Sequence, residues 1–222
     1  MSRIPTRVMI ISDTHEHSLN GADTPEVDIL LHTGDLTNFG ELNALKESVK
    51  MTGTIEAELK LTCGSMGFQY QIHEDRFNDA SQVAPGQISI ATNPIPEGVD
   101  IFMTHGPPHT ILDQVDGSYK GCRNLLRAVG RVRPLMHCFG HIHEGNGANL
   151  VTWKPDGSVK DPSLATPMET EQVNEYPCTN EWPIQSGKQT LMVNAAIMMN
   201  TAEGMRPNYK PFVVSLDLPR HH

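Results

Sequence analysis

Apolar positions in this chain gather in short dense runs rather than in helical stripes. "RVMIISD" runs into Asp13, "VDILLHTGD" into Asp35, "VDIFMTHG" into His105, and "LMHCFGHIH" into His141 and His143. Runs of this length, flanked by Gly and Pro, predict buried strands of an α/β sheet. "IEAELKL" reads as a further strand. Two later runs, "QTLMVNAAIM" and "PFVVSLDL", have no helical pattern between them and predict strands of a second sheet. Helices are expected over about 40–51 and about 119–129, with "GRVRP" closing the latter. The segment from about 154 to 188 is polar, acidic and Pro-rich, longer than ordinary loops, and reads as a surface excursion. Without an internal repeat or a second core, residues 1–222 are expected to form a single domain.

Composition narrows the classes. A chain of 222 residues, 38% apolar and 19% charged, has the makeup of a soluble globular protein able to bury a sizeable core. The sequence carries no stretch of 18 apolar residues and no secretory-signal pattern at "MSRIPTRVMIIS", so neither a membrane span nor export is expected. Cys63, Cys122, Cys138 and Cys178 are scattered, which predicts reduced thiols in a cytoplasmic protein. A formal net charge of −9 argues against binding a nucleic-acid polymer. It leaves room for a small phosphorylated substrate if metal ions supply positive charge locally.

The 11 histidines sit where that chemistry would be placed. On extended backbone, residues i and i+2 point to one side, so Asp13 and His15 can aim at one point; His141 and His143 share that spacing. Sites in α/β sheets form beyond the carboxyl ends of strands, where all four runs deposit their polar residues. Carboxylate and imidazole ligands suit Mn, Fe or Zn better than Mg or Ca. Any one pair also fits side chains that merely end a strand; acid and histidine clusters at four strand ends predict a metal centre.

In their order, "SDTHEH", "HTGDLTNFG", "THGPP" and "GHIHEG" resemble the signature of the calcineurin-like metallophosphoesterases. Within that superfamily the chain is most similar in style to the small eukaryotic metallophosphoesterase-domain proteins, over about 8–218. The resemblance implies a two-sheet α/β sandwich with a dinuclear site at one edge. It implies that Asp13, His15 and His143 hold a first ion, that Asp35 bridges, and that His105 and His141 hold a second. Asp35, His105 and His141 are the residues expected to serve catalysis. Mn is the expected ion, with Fe or Zn as alternatives, and a hydroxide shared by two ions would be a nucleophile near neutral pH. Gly34, Gly106 and Gly140 beside the ligands are expected to permit sharp turns or close approach.

One part of the signature is missing. Between Asp35 and His105 no Gly-Asn-His-Asp/Glu sequence occurs; "TCGSMGFQY" follows Leu61 where it should stand, as though a stretch had been removed between 61 and 67. Asn93 and His73 lie in the wrong context to replace it. The second ion would then be weakly held, and loss of a charge-stabilising His typically costs about 10²–10⁴-fold in rate.

Around the ligand motifs, His17, Asn38 and His109 are candidates to touch substrate, with rim or loop roles as the alternative. Lys120, Arg123, Arg127, Arg131 and Arg133 read as a solvated helix face, and His32 and His137 as satisfied core histidines. Two functions are carried forward. One is a metal-dependent phosphoesterase for a small phosphomonoester or phosphodiester, such as a nucleotide. The other is a catalytically impaired relative that binds metal or nucleotide as a regulator or scaffold.

Overall fold

A computed structural model of the chain describes residues 3–19, 24–62, 95–160, 166–168 and 184–219. Two sheets face each other. The first has four strands: β1 (Arg3–Ile11), β2 (Val27–His32), β3 (Ala57–Thr62) and, last in the chain, a strand at Phe212–Pro219. The second is built from β4 (Ile101–Met103), then Met136–Phe139, Gly147–Thr152, Thr166–Met168 and Gln189–Asn194. Between these come a small hairpin, β5 (Gln114–Val115) with β6 (Ser118–Tyr119), then β7, β8, β9 and β10 for the four second-sheet strands just given in order. A second hairpin of β11 (Met198–Thr201) and β12 (Gly204–Pro207) precedes β13, the Phe212–Pro219 strand. The sheet orders are β13-β1-β2-β3 and β4-β7-β10-β8-β9.

Strand alternation sorts the side chains into layers. On β1, Val8 and Ile10 point into the space between the sheets, where they pack with Leu31, Val214, Met136, Cys138, Leu191 and Val193. Met9 and Ile11 point the other way, against Met51 and Ile55 at the end of helix α1 (Leu42–Gly53). The outer face of the second sheet buries Phe139, Val151 and Met192 against Leu125, Ala128 and Val129 of helix α2 (Arg123–Val132). The order is therefore helix, sheet, sheet, helix. A run such as "VMII" carries no polar residue because both its faces are covered. Each such buried side chain stabilises the fold by roughly 1.5–3 kcal/mol. This is the two-sheet α/β sandwich expected from the sequence.

Three expectations are corrected. The late runs do not share a sheet: β10 joins β7 in parallel, whereas β13 pairs antiparallel with β1 in the other sheet. Backbone partners, unlike burial, leave no mark on composition. Helix α2 begins at Arg123 rather than near 119, because Asp116 and Gly117 both take positive φ (49° and 74°) and turn the chain into the β5–β6 hairpin. Cys122 then caps the helix, its sulfur accepting from the Leu125 N–H at 3.4 Å. Gly106 is not sterically required: a Cβ there meets nothing within 4 Å.

The two histidines read as core residues are in the core. His32 is buried with Nε2 3.1 Å from the Thr14 hydroxyl, and its Nδ1 accepts from the Gly34 N–H at 3.3 Å. His137 is buried 2.9 Å from the Thr104 hydroxyl. Arg133 departs from the expected solvated helix face: it stands just past the helix and donates to the carbonyls of Gly130, Gly187, Lys154 and Pro155, tying loops together. The segment expected as an excursion contributes β9 as an edge strand beside β8. No helix among the described residues is long and apolar enough to cross a membrane. The missing stretch after Leu61, together with His73 and Asn93, lies outside the described residues.

Candidate metal centre

The carboxyl ends of β1, β2, β4, β7 and β10 meet at one edge of the sandwich, and the loops beyond them are tied together by backbone hydrogen bonds. The pairing of β1 with β2 continues past both strands, with Asp13 N donating to Gly34 O (2.9 Å), His15 N to Asp35 O (3.0 Å) and Glu16 N to Leu36 O (2.9 Å). Ser12 N donates to Ala195 O at 2.9 Å, fastening the first sheet to the end of β10. Gly140 N donates to His105 O at 2.8 Å, joining the loops after β7 and β4.

Convergence does not come from extended strand backbone, as the i and i+2 spacing suggested. Asp13, His15, Asp35 and His141 all take positive φ (55°, 44°, 51° and 70°). Non-glycine residues rarely adopt that region, and such strain persists where surrounding structure enforces it. Nor do His141 and His143 aim at one point. His143 Nε2 lies 3.3 Å from Asp13 Oδ1, whereas the His141 ring packs on His105 with centroids 5.2 Å apart.

Two groups of side chains hold their donor atoms within 4.8 Å of one another: Asp13, His15 and His143, and Asp13, Asp35 and His105. Asp13 belongs to both. Asp35 Oδ2 lies 3.8 Å from His15 Nε2 and 3.4 Å from His105 Nε2, between the two imidazoles. His105 Nδ1 is 3.0 Å from Thr33 O, so it donates there and leaves the Nε2 lone pair facing Asp35. A carbonyl behind the ring is the arrangement that orients a metal-binding histidine. His141 is in neither group; its backbone N–H donates to Asp13 Oδ2 at 2.9 Å.

The electrostatics suit a cation. Burial opposes ionisation of Asp13, but the His143 ring 3.3 Å from its Oδ1, the nearby His105, Ser12 and the His141 N–H hold its pKa at about 2. Burial lowers His15, and burial together with neighbouring His105 lowers His141 to about 4, so both present neutral rings near pH 7. Burial also opposes the charged form of His105, yet Asp35 and Asp13 outweigh it and raise its pKa. Among the described residues nothing hydrogen-bonds the buried Asp13 Oδ1, His15 Nε2 or His143 Nδ1. Among the described residues no lysine or arginine pairs with either carboxylate. A buried carboxylate such as Asp13 is costly without a full counter-charge, and divalent cations would complete both groups.

Two glycines complete the cradle. A Cβ on Gly34 would stand 2.4 Å from His105 Nδ1, and one on Gly140 2.1 Å from Asp13 Oδ2. His17 and Asn38 lie exposed at the rim; His17 Nδ1 is 3.2 Å from His15 O, and Asn38 N donates to Glu16 Oε1 at 3.0 Å. His109 faces elsewhere, with Nδ1 3.8 Å from Asp113 Oδ2 and its ring edge-on to Tyr119. The sequence reading gave no role to Glu16, Asp113 or Asn194. Asn194, fully buried at the end of β10, donates through Nδ2 to Leu112 O (3.0 Å) and Ile142 O (2.8 Å) and so pins the loops that follow His105 and His141. Its signal was available: it is one more polar residue closing an apolar run.

A profile described as the calcineurin-like phosphoesterase superfamily domain matches residues 6–159. Human metallophosphoesterase domain-containing protein 1 is 29% identical over 202 residues, covering 64% of this chain and 62% of that protein. A UPF0046 protein of Caenorhabditis elegans is 28% identical over 188 residues, covering 64% of each. The chain thus spans less than two thirds of these relatives. Among solved structures, a purple acid phosphatase from yellow lupin aligns with 97% of this chain and 50% of its own, at 12% identity and a TM-score of 0.45. A metallophosphoesterase from Sphaerobacter thermophilus aligns with 97% of this chain and 89% of its own, at 12% identity and a TM-score of 0.39.

Proposed function

The chain belongs to the calcineurin-like phosphoesterase superfamily, and from that premise we propose that it hydrolyses a small phosphomonoester or phosphodiester, a nucleotide being one such substrate, with Mn as its preferred ion. The observation that carries the reading is Asp13, an ionised and buried carboxylate shared by two donor groups, with no lysine or arginine paired to it among the described residues. Divalent ions held there would offset charge on the phosphoryl oxygens and acidify water. The chain's part is positional. The His141 N–H fixes one Asp13 oxygen, Thr33 O fixes the His105 ring, and Asp35 stands between His15 and His105. The reading includes a single cytoplasmic domain whose partner is a small phosphorylated molecule rather than a nucleic-acid polymer or membrane.

The test is turnover of a chromogenic phosphodiester with added Mn, against an Asp35→Asn control. Activity that the control loses supports the reading; activity equal in both sinks it. The absent Gly-Asn-His-Asp/Glu motif between Asp35 and His105 favours a second reading, an impaired relative that binds metal as a regulator or scaffold. Tight metal retention without any turnover would select it.

A further inference from the structure

A cleft of about 330 Å³ is lined by Thr110, Asp113, Gln114, Tyr119, Glu144 and Asn146, and so borders the turn His143–Gly145 that carries one of the candidate ligands. Its walls continue the loops that deliver His105 and His143. The β5–β6 hairpin forms one side and packs on the 3-10 turn His143–Gly145 that forms the other. Asn194 ties the two walls together through Leu112 O and Ile142 O. A substrate held at the metal centre would have this cleft within reach of its organic portion.

The buried polar atoms without a partner in the cleft are acceptors, while the more exposed Gln114 and Tyr119 at its edge carry donors as well. The Asp113 side chain is 0% exposed; its Oδ2 accepts from Thr110 N (3.0 Å) and Gly121 N (2.7 Å), while Oδ1 has no partner among the described residues. Asn146 spends its Nδ2 on Ala196 O at 2.8 Å, leaving Oδ1 buried and without a partner among the described residues. The Thr110 hydroxyl donates to His109 O at 2.6 Å. Glu144 adds a second carboxylate. Buried acceptors without donors are costly, and a ligand bearing hydroxyl or amine hydrogens would satisfy them. Two carboxylates would repel a second phosphate.

We infer that this cleft receives the organic group of the phosphoester and selects one rich in hydrogen-bond donors, a polyol or an amine, over an apolar or anionic one. The inference rests on the proposed phosphoesterase reading for the identity of the ligand. Asp113 is the residue that reads the donor, through Oδ1.

The test is calorimetric binding of ribose 5-phosphate and butyl phosphate to the Mn-loaded protein, wild type and Asp113→Asn. Two backbone N–H groups hold the amide oxygen at the Oδ2 position, so the substitution turns the free acceptor into a donor. Wild type is expected to bind ribose 5-phosphate about tenfold more tightly, a gap worth one or two hydrogen bonds, and the variant to lose most of that ratio. Equal binding of the two esters by wild type, or an undiminished ratio in a folded variant, overturns the inference. Should Asp113→Asn not fold, Glu144→Gln takes its place: a ratio reduced several-fold supports the inference and an unchanged one overturns it. Nitrophenyl phosphate hydrolysis by wild type, measured in the same buffer, separates the two readings. Selective binding without turnover sinks the phosphoesterase reading alone, and turnover without selectivity sinks this one alone.

Discussion

Asp13 accepts the His141 N–H through Oδ2 at 2.9 Å across 128 residues of chain, while its Oδ1 stands 3.3 Å from His143 Nε2. One carboxylate therefore closes the site between the two sheets and serves both groups of candidate ligands.

Metal content should follow that sharing. Asp13→Ala is expected to lose every tightly held ion, whereas His143→Ala and His105→Ala should each weaken one group and spare the other. Loss of a ligand should exceed the roughly 10–100-fold that loss of an outer partner costs. Elemental analysis after dialysis against a weak chelator checks this. If His105→Ala empties the protein as fully as Asp13→Ala, the two-group assignment is wrong.

The glycines give a steric test of the same site. In Gly140→Ala the new methyl would stand 2.1 Å from both Asp13 Oδ2 and Ser12 Oγ, at a backbone angle that alanine tolerates. Overpacking of this kind costs about 1–3 kcal/mol, and here it would displace a ligand as well. Gly106→Ala meets nothing within 4 Å and is the control. Melting temperature and Mn affinity should fall together in the first and stay near wild type in the second. Equal behaviour of the two would mean the crowding at Gly140 relaxes freely.

His32 makes the metal-free fold sensitive to acid. Burial lowers its pKa to about 4 from an ordinary 6.5. Its Nδ1 faces the Gly34 N–H, so a proton there would set donor against donor. The unfolded chain takes up that proton first. The stability His32 contributes is thus complete above about pH 6.5 and is lost as pH falls through about 4, amounting to roughly 3 kcal/mol at 1.36 kcal/mol per unit. Urea unfolding in chelator from pH 7.5 to 4 should show this slope, and His32→Gln should reduce it to the part that His141, lowered likewise to about 4, contributes. An unchanged slope in the variant would move the effect to other histidines.

Legibility in the sequence followed burial. Strands covered on both faces, such as Val8–Ile11, announced themselves because such runs admit no polar residue. The residues that end them stood out against that background. Backbone direction leaves no such trace, so the i and i+2 spacing of Asp13 with His15 and of His141 with His143 predicts extended chain where Asp13, His15 and His141 take left-handed turns. Strand partners were equally silent, and β13 was assigned to the wrong sheet. The Asp116-Gly117 turn was legible and passed over. Asp113 differs: nothing local distinguishes an acid whose two bonds go to Thr110 and Gly121 from any loop acid.

Asn194 offers the sharpest test of how the site is supported, because its amide is used in one orientation only. Nδ2 faces two carbonyls, Leu112 O and Ile142 O, and Oδ1 accepts from Ala196 N at 3.2 Å. Asn194→Ala takes the side-chain donor from Leu112 O, at about 1–3 kcal/mol, leaves Ile142 O with the Gly145 N–H alone (3.0 Å), and frees the loop that carries His143. Asn194→Asp keeps the shape but sets a carboxylate oxygen against two carbonyl oxygens, so it should be at least as destabilising as the deletion. Chemical unfolding of the three proteins, with Mn affinity measured alongside, checks the order. If shape alone mattered, the aspartate variant would match wild type. If the donated hydrogen bonds matter, both variants should lose stability, and their metal affinity should fall without any ligand having been changed.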